Sequence, residues 1–128
     1  MVTANLLSKY YDKEFIPEIA LNIGNPPKAH KFDLVSKDKS VVVECKCYSW
    51  TAGKNSPSAK LSTLNEAVLY LKLLTGFCVK VIVMTKVVHP SRNETLAEYY
   101  MRRYNFVLEG ITLIEVDVDN QVIRVIKE

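Results

Sequence analysis

The run Phe77-Cys78-Val79-Lys80-Val81-Ile82-Val83-Met84 most limits what this chain can fold into, because seven of its eight residues are apolar and only Lys80 interrupts them. It is far shorter than the roughly 20 apolar residues that cross a bilayer. It also lacks the alternation of a strand with one wet face. A nearly continuous apolar strand belongs inside a sheet covered on both faces, so the chain must supply helices to cover it.

The flanking segments meet that demand. Thr3 to about Phe15 places Leu6, Leu7, Tyr10, Tyr11 and Glu14 at helical spacing, with Pro17 near its end. Ile19 to Ile23 reads as a strand stopped by Gly24-Asn25-Pro26-Pro27, and His30 to Val35 as the next. The polar turn Ser36-Lys37-Asp38-Lys39 leads into Ser40 to Tyr48, whose Val41-Val42-Val43 run is β-branched. Ser56-Pro57 suits the start of a helix carrying Leu61, Leu64, Val68 and Leu71 on one stripe, with Gly76 past its end. After Phe77 to Thr85, Ser91-Arg92-Asn93-Glu94 reads as a capping box for a helix to about Tyr104. Strands Ile111 to Val116 and Val122 to Ile126 close the chain. The expected order is α, β, β, β, α, β, α, β, β, an α/β fold with a mixed sheet and helices packed on it.

With 128 residues, 48% hydrophobic and 24% charged, the chain fits one domain, residues 1–128, that needs no disulfide or structural metal. Three cysteines form an odd set, and no basic segment followed by an apolar one opens the chain, so reduced thiols, no membrane and a cytoplasmic location are expected. A net charge of +3 names no partner. Its distribution says more: no acid lies between Ile19 and Phe32, which hold Lys28, His30 and Lys31. None lies from Cys45 to Asn65 either, where Lys46, Lys54 and Lys60 accompany Tyr48 and Trp50. Local basic surface of this kind suits phosphate.

Chemistry concentrates where these stretches meet. If Lys37-Asp38 closes a simple hairpin, Val35 faces Ser40 and Asp33 faces Val42. Asp33, Glu44 and Lys46 then share one sheet face, with Asp33 and Glu44 diagonal neighbours whose Cβ atoms lie somewhat less than about 7–8 Å apart. Two carboxylates without a histidine or cysteine on their face favour a hard divalent cation, Mg²⁺ or Mn²⁺. A water on such an ion loses a proton more easily, and an adjacent ammonium can orient it or stabilise a charged transition state. Asp, Glu and Lys on a strand ordinarily make a solvated ion pair. Here the apolar run before Glu44 points to a covered strand, where charge is costly unless it serves an ion or a reaction.

Asp33, followed after a short hairpin by Glu44-Cys45-Lys46, resembles the Asp…Glu-x-Lys signature of the PD-(D/E)xK nuclease superfamily. The segment order up to Thr85 resembles that family's α-β-β-β-α-β core, the restriction-endonuclease-like fold. The resemblance implies a Mg²⁺- or Mn²⁺-dependent nuclease, with DNA the expected substrate. It puts Asp33, Glu44 and the backbone carbonyl of Cys45 on the metal, and Lys46 beside the water. The proline that names the motif is replaced by Phe32, as in many relatives. Many members add an acid from the first helix; Glu14 is the first candidate here and Glu18 the second. The C-terminal helix and hairpin lie outside this core and suit a dimer interface or a nucleic-acid clamp.

The loop after Lys46 carries Trp50, Lys54, Asn55, Ser58 and Lys60 as candidate nucleic-acid contacts, phosphate for the lysines and base stacking for Trp50. Trp50 fits a core position equally well. Alternation turns Cys45 and Cys47 to the opposite face, as buried small residues and not a zinc pair. The same alternation turns His30 away from Asp33, and His89 reads as a loop residue. Two other classes remain open: a nucleic-acid-binding or complex-subunit domain without turnover, and a purely structural interaction domain. Because so small a domain covers limited DNA, a homodimer is expected.

Overall fold

A computed structural model describes residues 2–47 and 58–128. The elements follow the expected order: α1 (Val2–Tyr11), β1 (Phe15–Ile23), β2 (Lys28–Ser36), β3 (Val41–Lys46), α2 (Ser58–Lys72), β4 (Val79–Thr85), α3 (Leu96–Tyr104), β5 (Thr112–Asp117) and β6 (Val122–Lys127). The six strands form one mixed sheet in chain order. β1 with β2 and β2 with β3 pair antiparallel, β3 with β4 and β4 with β5 pair parallel, and β6 returns antiparallel to β5. Pro17, which cannot donate to a ladder, sits on the edge strand β1 as its chemistry requires.

Each face of the sheet has its own apolar layer. Leu7 of α1 packs with Val41, Val43, Val81, Val83, Ile114 and Val116. On the other face, α2 and α3 bury Leu61, Leu64, Leu71 and Tyr100 against Val42, Ile82, Met84 and Leu113. The apolar run of β4 is buried from Val81 to Met84, as a strand covered twice must be. No helix among the described residues is long and apolar enough to cross a membrane.

Three local expectations are corrected. The β2–β3 hairpin pairs Leu34 with Val43 and Val35 with Val42, two residues away from the simple-hairpin register. Asp38 causes the longer turn: its Oδ1 accepts bonds from the Ser36 hydroxyl and from the Ser40 backbone and hydroxyl, wrapping residues 37–40 into a loop of their own. Helix α3 starts at N-cap Thr95, whose side chain accepts from Glu98 N–H while the Glu98 carboxylate accepts from Thr95 N–H. Ser91 to Glu94 lie outside the helix, because His89 N–H donates to the Glu94 carbonyl and Leu96 N–H to that of Val87, drawing 87–95 into an antiparallel pair.

The third correction concerns faces. Side chains alternate along a regular strand, yet Phe32 belongs to the α2 layer and Leu34 to the α1 layer. On β1, Phe15 likewise packs on the α1 side, and Ile19 on the α2 side. The ladder skips Glu18 opposite Asp33, between the Pro17–Leu34 and Ile19–Phe32 pairs, and Glu18 holds φ 56°. The hairpin thus changes faces at Glu18 and Asp33. Its far half folds over α2, where Gly24 N–H donates to the Leu73 carbonyl and Ile23 bridges Leu74.

Candidate functional site

β3 brings Glu44 to the α2 side of the sheet by simple alternation with Val42. The two-residue register shift sets Asp33 directly across from it. Regular pairing stops there, and the two carboxylates take over the backbone donors. Asp33 N–H donates to Glu44 Oε1 at 3.3 Å, and Cys45 N–H donates to Asp33 Oδ2 at 2.7 Å. These reciprocal bonds hold two acids together at the break in the ladder.

Glu44 is only 5% exposed. Burial first, and the charge of Asp33 second, push its carboxyl up to about 7; the Lys46 ammonium and the Asp33 N–H bond act in the other direction. Such a pair of acids has one charge more than its surroundings stabilise, and a neighbouring cation or a proton relieves it. Lys46 lies two residues along β3 on the same face, half-buried, opposite Met84 of β4.

His30 is part of this cluster, against the expectation from alternation. The change of faces at Asp33 returns His30 and Phe32 to the α2 side, and His30 Nε2 lies 3.8 Å from Glu44 Oε1. That nitrogen is buried, and among the described residues it has no hydrogen-bond partner. The ring stacks on Tyr70 of α2 at 4.1 Å between centroids, and Tyr70 donates its hydroxyl to Glu66. Burial holds the imidazole below its ordinary range, with Asp33 and Glu66 acting in the other direction. Tyr70 and Glu66 were not anticipated from the sequence; their four-residue spacing on one helical stripe is the only signal that joins them.

The remaining candidates fall elsewhere. Glu14 lies beside the hairpin turn, its carboxylate 3.9 Å from Lys37 Nζ. Phe15 pairs with Ser36, so Glu14 stands about 13 Å along the strand from Asp33 at 3.2–3.4 Å per residue. Glu18, level with Asp33, is exposed. Lys60 sits in the first turn of α2, half-buried, and Ser58 is the residue at which α2 begins. Trp50, Lys54 and Asn55 lie outside the described residues, as do the helix-start residues Ser56 and Pro57. Cys45 points into the α1 layer, and burial pushes its thiol up to about 12; Cys47 is exposed, and all three cysteines are free. His89 lies in the connection between β4 and α3, where its Nδ1 accepts from Ser91 N–H.

Among the described residues, no group of three or more His, Cys, Asp and Glu side chains is arranged to hold a metal ion. Compared with protein-family models, with curated proteins and with solved structures, the chain matches none.

Proposed function

We propose that this protein is a metal-dependent phosphodiesterase of the PD-(D/E)xK kind, a nuclease acting on DNA. The reading is carried by one observation: two acids from adjacent strands bonded to each other's strand, one of them buried and raised to about 7, with a lysine two residues further along. The segment order from α1 through β4 supports it, since it follows the α-β-β-β-α-β core that the resemblance implies.

The donor set fits a hard ion. Asp33, Glu44 and the backbone carbonyl of Cys45 supply only oxygen, and an ion such as Mg²⁺ is ordinarily held by one or two carboxylates while keeping several waters. Those three groups would hold Mg²⁺ or Mn²⁺, which when bound supplies a more acidic water and offsets charge on phosphoryl oxygens. The rest falls to the chain. Lys46 Nζ orients the attacking water and donates to the phosphate oxygen as charge grows there. Asp33 and Glu44 are kept convergent by the N–H groups of Cys45 and Asp33. His30, stacked on Tyr70 of α2, stands beside Glu44 on the α2 side. This reading includes a homodimer, so sedimentation at high micromolar concentration is expected to give a dimer mass, and a monomer mass would count against it.

Cleavage of DNA in Mg²⁺ against EDTA tests the proposal. Activity is expected only with the metal, and Glu44→Gln and Lys46→Met each lower it at least 100-fold. Activity that survives both substitutions removes these residues from the chemistry. A second reading keeps the fold as a nucleic-acid-binding domain without turnover, favoured by the backbone bonds that already occupy the two carboxylates. It gives DNA binding that weakens with salt and does not change with EDTA.

A further inference from the structure

Among the described residues, four other than glycine hold a positive φ: Asp12, Glu18, Lys39 and Gln121. Asp12, Lys39 and Gln121 lie in connections between elements, where turns are ordinary. Glu18, at 56°, lies inside strand β1. A residue with a Cβ seldom holds the left-handed region, and backbone kept there against its preference gathers at functional sites. Glu18 stands level with Asp33, and its side chain is exposed.

The direction of the backbone donors shows what this conformation does. Lys37 N–H donates to the Glu14 carbonyl at 2.8 Å, so the odd-numbered N–H groups at the turn end of β2 point to β1. Donors alternate along a strand, so regular pairing would carry Asp33 N–H to the Glu18 carbonyl. On the other side of β2, Val41 N–H donates to Ser36 Oγ at 2.9 Å, so the odd-numbered N–H groups of β3 point to β2. Regular pairing would carry Cys45 N–H to the Phe32 carbonyl. The ladders contain neither pair. Asp33 N–H turns from β1 to Glu44 Oε1, and Cys45 N–H meets Asp33 Oδ2.

The strands have not slipped. Pro17 pairs with Leu34 and Ile19 with Phe32, one register on both sides of the gap, so no residue is inserted. The gap is a rotation of the backbone, and the left-handed turn at Glu18 supplies it on β1. The same rotation sets His30 beside Glu44.

We propose that Glu18 is a positioning residue for the Asp33–Glu44 pair, acting through its left-handed backbone and not through its carboxylate. By withdrawing its carbonyl from Asp33 N–H it frees that donor for Glu44 and lets the two acids lock onto each other's strand. The placement of the acids stands on the backbone alone; the metal they hold rests on the nuclease reading.

The test uses the full chain, labelled with ¹⁵N, with two readouts. In EDTA, Glu44→Gln is expected to shift the Asp33 amide resonance in the wild type and in Glu18→Gly, which keeps a positive φ without steric cost. No such shift is expected in Glu18→Val, whose branched Cβ disfavours that conformation. With Mn²⁺ added, Glu18→Gly and Glu18→Gln keep the affinity of the wild type, and Glu18→Val weakens it about ten-fold or more. Should Glu18→Val fail to fold, Glu18→Thr, also branched and polar on this exposed site, replaces it with the same expectations. An Asp33 response or a Mn²⁺ affinity unchanged in the branched variant overturns the proposal. So does a loss of affinity in Glu18→Gln as large as in Glu18→Val, which returns the carboxylate to the site. If the wild type binds no Mn²⁺, the nuclease reading falls and the Asp33 response decides the placement by itself.

Discussion

Glu44 holds a conflict created by the fold, a carboxyl out of water beside a second acid, and its consequence is a pH dependence of known sign. In the unfolded chain the group titrates near 4.5, and in the fold near 7. Between these values the folded state keeps a proton that the unfolded state has lost, so stability falls as pH rises from 4.5 through 7 and levels off above. At 1.36 kcal/mol per pH unit the loss is about 3 kcal/mol at most. Urea unfolding in EDTA at pH 5 and pH 8 measures it: the wild type loses stability over that interval, and Glu44→Gln, which carries no proton to lose, loses less by about that amount. Equal losses would mean that Glu44 titrates normally. Cys45, raised to about 12, is expected to escape iodoacetamide at pH 8 until the protein unfolds, whereas exposed Cys47 reacts in the native state. Labelling followed by peptide mass mapping reads this directly. The juxtaposition of Asp33 and Glu44, as distinct from its chemistry, was legible because a period of two survives any even slip of the hairpin. His30 was not legible: the change of faces at Asp33 arises from a skipped pair opposite Glu18, and neither residue type announces it.

Element boundaries record a competition between equal local signals. Ser91-x-x-Glu94 and Thr95-x-x-Glu98 are both capping boxes in sequence, four residues apart. Tertiary contacts choose the second, because Glu94 is taken by Arg102 and the backbone at 87–95 is drawn into the Val88–Thr95 bridge. Thr95→Ala is therefore expected to cost about 1 kcal/mol, and Ser91→Ala to stay within about 0.5 kcal/mol of the wild type. Thermal or urea denaturation of both variants checks the assignment, and a larger loss for Ser91→Ala would reverse it. The elements themselves were legible, since long apolar stripes and β-branched runs specify type more firmly than they specify ends.

At the scale of the molecule, the apolar content of β4 dictates a sheet covered on both sides, and the helices divide accordingly, α1 on one face, α2 and α3 on the other. The β1–β2 hairpin cannot stay in that plane. By changing faces at Glu18 and Asp33 it wraps α2, and the bend is where the two acids, Lys46 and His30 converge. The sheet's mixed character was legible from the order of segments; the wrap was not, because it depends on which face Phe32 and Leu34 choose, and both are apolar.

Anomalous scattering from a crystal soaked in Mn²⁺ tests the central claim most directly, since it reports where an ion sits without requiring turnover. A peak between the carboxylates of Asp33 and Glu44, within reach of the Cys45 carbonyl, is the predicted result. Density absent from that position at millimolar Mn²⁺, while the crystal remains ordered there, would contradict the account.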